Sequence, residues 1–152
     1  MRFEGQSLAA TPTQLVTLPR PHGGDWTFTL RPLPLGFHRR LRERGLVPPA
    51  PGTKVARDSH GRPLRDDAGL AVTQTDHSDP QYLAELELYH QRVAVLAVAE
   101  SLQADPRVHF DAAQPSDGGT GSWTMYADAL HSEHESAGFT TGELILLCNA
   151  IA

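Results

Sequence analysis

The sequence predicts an α+β fold, in which an N-terminal β-hairpin packs on a mainly α-helical core and carries an extended proline-rich arm. Apolar residues alternate between positions 14 and 30, they are sparse across the proline-rich residues 47–79, and they recur at helical spacing from residue 80 onwards. A chain of 152 residues, 39% of them apolar and 20% charged, is long enough to bury a core. We therefore expect one domain, residues 1–152, made of the hairpin with a short helix (1–46), a flexible arm (47–79) and a helical core (80–152).

The hairpin is predicted from two alternating segments, residues 14–18 and 25–30. Residues 19–24 lie between them and contain two prolines followed by Gly23 and Gly24, which suits a turn. Alternation places the large apolar side chains of the second strand on one face. These are Trp26, Phe28 and Leu30.

A short helix is expected over residues 35–44, ended by Gly45, with an apolar contact between Phe37 and Leu41. The arm that follows has few apolar residues and two turn signals, at 58–61 and 66–69. We interpret it as an extended arm or a loose hairpin that stays mobile until a partner orders it.

A long helix is predicted to begin at Asp79-Pro80, because Asp favours the N-cap and Pro the first helical position. It should end before Asp105-Pro106. One apolar stripe faces the core, and the stretch 93–99 is apolar almost all round, so a second face is expected to meet a partner. The partner-binding candidates on that face are Leu88, Val95 and Val98.

The C-terminal part predicts a short strand at 108–110 and a helix over 122–136 that Ser122 caps and Gly138 ends. Residues 140–143, Thr-Thr-Gly-Glu, form a capping box for a last helix. No internal repeat is evident. The expected core joins the apolar faces of all these elements: Trp26, Phe28, Tyr82, Leu86, Tyr89, Val93, Leu96, Trp123, Tyr126, Leu130, Leu144 and Leu147.

Charge is distributed unevenly along the chain. Residues 1–75 carry 11 basic and 6 acidic side chains, while residues 76–152 carry 2 and 12. Two such halves could attract each other within one chain or between copies, or could simply be solvated faces. The basic patch Arg39, Arg40 and Arg42 is a candidate partner surface, and pairing with an acidic surface is favoured over nucleic acid, for which no motif is present.

Candidate catalytic chemistry is limited to His131, Glu133 and His134, which lie on one predicted helix. Their spacing differs from the His-Glu-x-x-His pattern of zinc-protease helices, so an exposed polar face is preferred to a metal site. Cys148 is the one cysteine and lies in an apolar pattern, which favours an inert thiol. We expect no catalytic residue, no metal and no cofactor.

The N-terminal residues form no apolar signal core, and no apolar run reaches membrane-spanning length. With one cysteine, an internal disulfide cannot form. These features favour a cytoplasmic protein that does not associate with a membrane.

Four segments in order resemble the tail assembly chaperones, or small tail-associated proteins, of long-tailed phages and prophages. They are the hairpin ending Phe28-Thr29-Leu30-Arg31-Pro32-Leu33-Pro34, the start Asp79-Pro80-x-Tyr82 of the long helix, the Trp123 helix, and Gly138-Phe139-Thr140-x-Gly142-Glu143. A proline-rich arm separates the first segment from the second. The resemblance covers most of residues 25–151. It implies a non-enzymatic role in the host cytoplasm, in which several copies bind the tape-measure protein and keep it soluble while the tail tube assembles. It implies no particular site residue.

Three functional hypotheses follow. The first is the assembly chaperone, acting as a homo-oligomer. The second is a permanent structural or adaptor subunit of a phage-like particle, which would be found in the virion. The third and least favoured is a small metal-dependent enzyme that uses His131, Glu133 and His134.

Overall fold

The computed structural model describes residues 2–3, 6–7, 12–20, 23–116, 119 and 121–151. They form a mixed α+β fold with an N-terminal antiparallel hairpin and four helices, which confirms the predicted class. The chain divides into two units. The core unit comprises Met1–Leu46 and Gln91–Ala152, and the arm unit comprises Val47–His90.

Two antiparallel strand pairs begin the core unit. The first pair, β1 (Arg2–Phe3) and β2 (Gln6–Ser7), was not predicted. The second pair, β3 (Gln14–Leu18) and β4 (Trp26–Leu30), is the predicted hairpin. Its register places Val16 opposite Phe28, so the alternation seen in the sequence directs both side chains to the same face. Residues 21 and 22 of the predicted turn lie outside the described residues.

Four helices have nearly the predicted bounds. They are α1 (Phe37–Glu43), α2 (Pro80–Leu102), α3 (Ser122–Ser136) and α4 (Thr141–Ile151). Helix α2 is shared, because its residues up to His90 belong to the arm unit and those from Gln91 to the core unit. The segment 108–110 is a loop, so the predicted short strand there is wrong.

Helix ends follow the local sequence in most places. The Thr140–Glu143 capping box is confirmed, since the Thr140 N–H donates to Glu143 Oε2 at 2.8 Å and the Glu143 N–H donates back to Thr140 Oγ1 at 3.3 Å. Gly138 ends α3 at a φ of +82°. The cap expected from Ser122 is wrong, because Gly121 is the N-cap and makes no side-chain cap bond.

The interior of the core unit consists of two clusters. One packs α1 and the second half of α2 against α3 and includes Phe37, Leu96, Trp123 and Leu130. The other packs β3 and β4 against the end of α2 and against α4. Its buried residues are Val16, Leu18, Leu30, Val98, Leu102, Leu147 and Ile151.

The predicted core needs one correction. Its residues in the hairpin, the second half of α2, α3 and α4 are buried or partly buried in the two clusters. Tyr82, Leu86 and Tyr89 are half-buried and belong to the arm unit, and neither cluster contains them. The apolar stripe of α2 is continuous in sequence, but the two units share it.

The arm unit is built on a hairpin stem. Strand β5 (Gly52–Val55) pairs antiparallel with β6 (Thr73–Asp76), so the hairpin, one of the two conformations expected for this segment, is the one observed. Lys54 Nζ donates to Asp76 Oδ1 at 2.8 Å, and this bond together with bonds from Ser78 lowers the pKa of Asp76 to about 2. The ion pair ties the two strands near the open end of the stem.

Between the strands of the stem lie two lobes with the same design, residues 57–63 and 65–71. In the first, the Asp58 N–H donates to the Arg62 carbonyl at 2.9 Å, and Asp58 Oδ1 accepts from the N–H groups of His60 and Arg62. The second lobe has the same bonds eight residues later. There the Asp66 N–H donates to the Leu70 carbonyl, and Asp66 Oδ1 accepts from Ala68 and Leu70.

The lobes reveal an eight-residue repeat, Arg-Asp-x-x-Gly-x-x-x, at residues 57–64 and 65–72. The glycines, Gly61 and Gly69, have φ values of +79° and +80°, and each carbonyl accepts a bond from the arginine of its own repeat. The expectation of no internal repeat is therefore wrong. Only three of the eight positions are identical, so the repeat is weak in the sequence and clear in the hydrogen bonds.

Stem and lobes meet at a three-way junction formed by Ala56, Leu64 and Val72. The N–H of Leu64 donates to the Ala56 carbonyl at 2.8 Å, that of Val72 to the Leu64 carbonyl at 2.9 Å, and that of Ala56 to the Val72 carbonyl at 2.8 Å. The three bonds close a ring. The arm unit thus satisfies its backbone locally instead of through a packed core.

Candidate interaction surfaces

The six predicted partner-binding residues have different surroundings. Arg39 and Arg42 of α1 are exposed, and Leu88 is 39% exposed. Val95 and Val98 have no exposed surface, since they lie in the two core clusters. The prediction that these two valines face a partner is therefore wrong. Both side chains pack in the interior of the core unit instead.

Arg40 is half-buried because it is paired within the chain. Its guanidinium lies 3.8 Å from Glu100 Oε1, and Arg31 binds the same carboxylate oxygen at 3.0 Å. Arg39 contacts Glu43 one turn along its own helix at 3.7 Å, with both side chains mostly exposed. Arg39 and Arg42 are consequently the members of the basic patch that remain on the surface.

Opposite charges from the two halves of the sequence meet within the core unit. Arg20 shows this best, since its Nη1 donates to the Gly138 carbonyl at 2.9 Å and lies 3.3 Å from Glu143 Oε1. Its guanidinium also covers the Trp26 ring at 3.8 Å. Part of the charge asymmetry is thus explained by attraction between the two halves within one chain, which is one of the interpretations that the sequence leaves open.

The three side chains considered for metal chemistry have separate partners. Glu133 accepts the N–H groups of Asp111 and Ala112, and His131 lies 3.6 Å from Glu135. His134 is buried, with Nδ1 2.7 Å from the Leu130 carbonyl. Across the described residues, no group of three or more His, Cys, Asp or Glu side chains is arranged to hold a metal ion.

Cys148 is half-buried in α4, and burial raises the pKa of its thiol. A raised pKa lowers the thiolate fraction at neutral pH and with it the reactivity of the sulfur. The expected inert thiol agrees with this setting.

An open groove of about 440 Å³ runs beside β4. Trp26, Phe28 and Phe139 form its aromatic side, with ring centroids 5.4–6.3 Å apart. The other side is the loop that follows α2, where Asp105 and Arg107 lie next to the strand. Asp105 is buried and accepts a hydrogen bond from the strand. The hydrogen bonds from Arg107 and from the Thr29 N–H hold the pKa of its carboxyl well below the usual range.

Several exposed apolar side chains of the arm unit lie on or beside the two lobes. Every residue from 61 to 75 is exposed. The set of exposed aliphatic residues in stem, junction and second lobe, which we call the arm apolar set, comprises Val55, Leu64, Leu70 and Val72. In the sequence these residues are only the few apolar positions of the arm. Backbone bonds of the junction hold Leu64 and Val72 in place, and those of the second lobe hold Leu70.

Among the described residues, no helix combines the length and apolar character that crossing a membrane requires. Comparison of the chain with protein-family models, with curated proteins and with solved structures gives no match.

Proposed function

We propose that this chain is a non-enzymatic assembly protein that binds another protein through its arm unit. The observation that carries the proposal is the arm apolar set. Four aliphatic side chains are exposed on a backbone that its own hydrogen bonds hold in place. A two-stranded hairpin without an apolar face to bury is only marginally stable, so covering these side chains with a partner would stabilise the arm as well as the complex.

The partner proposed is the tape-measure protein of a phage-like tail, with this chain acting as a tail assembly chaperone in the cytoplasm of the host cell. The four sequence segments that resemble such chaperones support this choice. A chaperone of this kind must cover apolar surface temporarily, and a small, preformed, exposed apolar set suits weak and reversible contact better than a large interface does. Several copies along one long partner would form the complex, with self-association between neighbours.

Co-expression tests the proposal with a matched pair of substitutions. Leu70 in the arm is 66% exposed and Leu15 on β3 is 69% exposed, so Leu→Ser at either site removes the same exposed side chain. The wild-type chain should raise the soluble fraction of a co-expressed tape-measure protein, Leu70→Ser should reduce that gain, and Leu15→Ser should retain it. Equal effects of the two variants would contradict a role for the arm.

Mass spectrometry of purified particles separates the chaperone from the alternative of a structural or adaptor subunit. A chaperone should be absent from finished particles. A stoichiometric amount of this chain in them would assign it to the virion instead.

A further inference from the structure

Among the described residues, β4 pairs with β3 alone, so no strand lies along its outer edge. Residues alternate along a strand between those whose backbone groups face the neighbour and those whose groups face outwards. The bonds described below identify Thr27, Thr29 and Arg31 as the outward-facing residues. An unpaired edge of this kind is a template for another strand.

Groups from the end of α2 and the following loop occupy that edge in place of a third strand. The Thr29 N–H donates to Asp105 Oδ2 at 2.8 Å, and Arg107 Nη2 donates to the Thr27 carbonyl at 2.6 Å. The Arg31 N–H donates to the Ser101 carbonyl, and Ser101 Oγ donates back to the Arg31 carbonyl. All three outward-facing residues are therefore engaged by one continuous segment.

The two charged members of this segment are tied to each other. Arg107 donates from Nε to Asp105 Oδ1 at 2.9 Å and from Nη2 to Asp105 Oδ2 at 2.6 Å. The Asp105 carboxylate is almost fully buried, while the Arg107 side chain is 64% exposed. The carboxylate accepts from an N–H of β4 and the guanidinium donates to a carbonyl of β4. The pair thus takes the place of the carbonyl and N–H groups that a neighbouring strand would present.

The strand so covered is a strong candidate for pairing with its own copy. Its sequence, Trp-Thr-Phe-Thr-Leu, contains only β-branched, aromatic and aliphatic residues, with no charge and no proline. Two copies of one edge can pair antiparallel about a two-fold axis, so no second kind of surface is needed. We infer that the Asp105–Arg107 pair is a built-in block on strand addition, and that the strand it excludes is β4 of a second copy of this chain.

Arg107 is the removable half of the block, because its side chain is mostly exposed whereas Asp105 is buried. Arg107→Ala frees the Thr27 carbonyl and leaves the bond between Asp105 and the Thr29 N–H in place. The Thr27 N–H faces the same side as its carbonyl, so the variant offers an incoming strand both groups of one residue. Arg62→Ala is the control, since Arg62 is an exposed arginine of the arm unit with no described side-chain bond.

Sedimentation equilibrium of the full chain should show dimerisation of Arg107→Ala about tenfold tighter than that of the wild type, while Arg62→Ala stays at the wild-type value. The double variant Arg107→Ala/Thr27→Pro should return to the wild-type value, because proline removes an outward N–H and blocks edge pairing while the backbone bonds to β3 stay in place. The substitution also removes the side-chain bond between Thr27 Oγ1 and Thr17 Oγ1. Amide exchange at Thr27, followed by NMR, should slow as the Arg107→Ala variant dimerises.

Unchanged association of a folded Arg107→Ala variant would overturn the inference. So would a tighter dimer in which the Thr27 amide stays unprotected, because the contact would then lie elsewhere. The exchange measurement uses the single variant, so it decides the question even if the proline variant fails to fold.

Discussion

Leu96 and Leu83 show how strongly the surroundings of a side chain vary along one helix. Leu96 is 5% exposed in a core cluster, whereas Leu83 is 49% exposed. Leu96→Ala should lower the free energy of unfolding by about 2–5 kcal/mol through lost burial and the cavity left behind. Leu83→Ala should change it by no more than about 0.5 kcal/mol. Urea denaturation measures both, and equal losses would contradict the assignment of Leu96 to the core.

The stability of the fold at low pH should depend on the protonation of Asp105. Its pKa in the folded state is depressed by hydrogen bonds from Arg107 and Thr29. A depressed pKa stabilises the fold fully above the unfolded-state value of about 3.9, and the contribution is lost as pH falls below it towards the folded-state pKa. Asp105→Asn should therefore lower stability at pH 7 and flatten the fall in stability below about pH 4. Urea denaturation at several pH values measures this. If the interpretation were wrong, the free energy of unfolding of the variant would fall below about pH 4 as steeply as that of the wild type.

The two lobes of the arm unit are a matched pair of elements for testing backbone strain. Gly61 and Gly69 have positive φ values, and an added Cβ would meet no atom within 4 Å at either position. Alanine should thus cost about 1 kcal/mol at each site for the left-handed conformation alone. We expect faster amide exchange at Leu64 and Val72 of the ring, with similar effects from the two variants.

Gly142→Ala provides the control for the lobes. Gly142 lies in α4 and has no positive φ, and an added Cβ would meet no atom of a neighbouring element within 4 Å there as well. Alanine there should stabilise the chain by up to about 1 kcal/mol because it favours the helix. Unchanged exchange in the Gly61→Ala and Gly69→Ala variants would show that the lobes do not hold the ring.

Helices and the hairpin were predictable because their signals are local. Asp79-Pro80, Gly138 and the Thr140–Glu143 box mark helix ends by side-chain and backbone chemistry within a few residues. The alternation around Trp26 and Phe28 specified the strand pair in the same way. Elements of this kind are fixed by neighbours in sequence.

The candidate surface was harder to predict because exposure depends on the tertiary arrangement. Val95 and Val98 have the same sequence signal as a partner-facing stripe, yet β-strands and α3 cover that part of α2. In the sequence Leu70 is only one of the few apolar residues of the arm, and it is exposed because the lobes satisfy their own backbone hydrogen bonds. The bond from the Thr29 N–H of β4 to Asp105 joins residues 76 positions apart, which no local pattern reveals.

The charge distribution of the full chain bears on self-association. Several N-terminal arginines already pair with acidic residues of the C-terminal half, as Arg20 does with Glu143 and Arg31 with Glu100. Arg39 and Arg42 stay on the surface. We expect a head-to-tail homo-oligomer in which these arginines meet acidic residues of the next copy and apolar contacts supply most of the affinity.

Light scattering over a concentration series tests that expectation. Association should weaken as salt rises, because exposed charges are screened. Reversing Arg39, Arg40 and Arg42 to Glu should weaken it further. Arg39→Glu/Arg42→Glu should also weaken it, and this double variant keeps the Arg40–Glu100 pair. A monomeric mass at high micromolar concentration would contradict self-association and leave the basic patch as a solvated face.

The ring at the three-way junction also determines which changes of length this chain can tolerate. Removing residues 57–64 takes away one lobe and with it the Leu64 carbonyl and N–H of the ring. The Ala56 carbonyl and the Val72 N–H then lack partners. Ala56 and Val72 are the pair that follows Val55 and Thr73 in the register of the stem, so these two groups can bond to each other. The stem would lengthen by one ordinary pair. We therefore expect the chain to tolerate removal of one whole lobe with its stem intact.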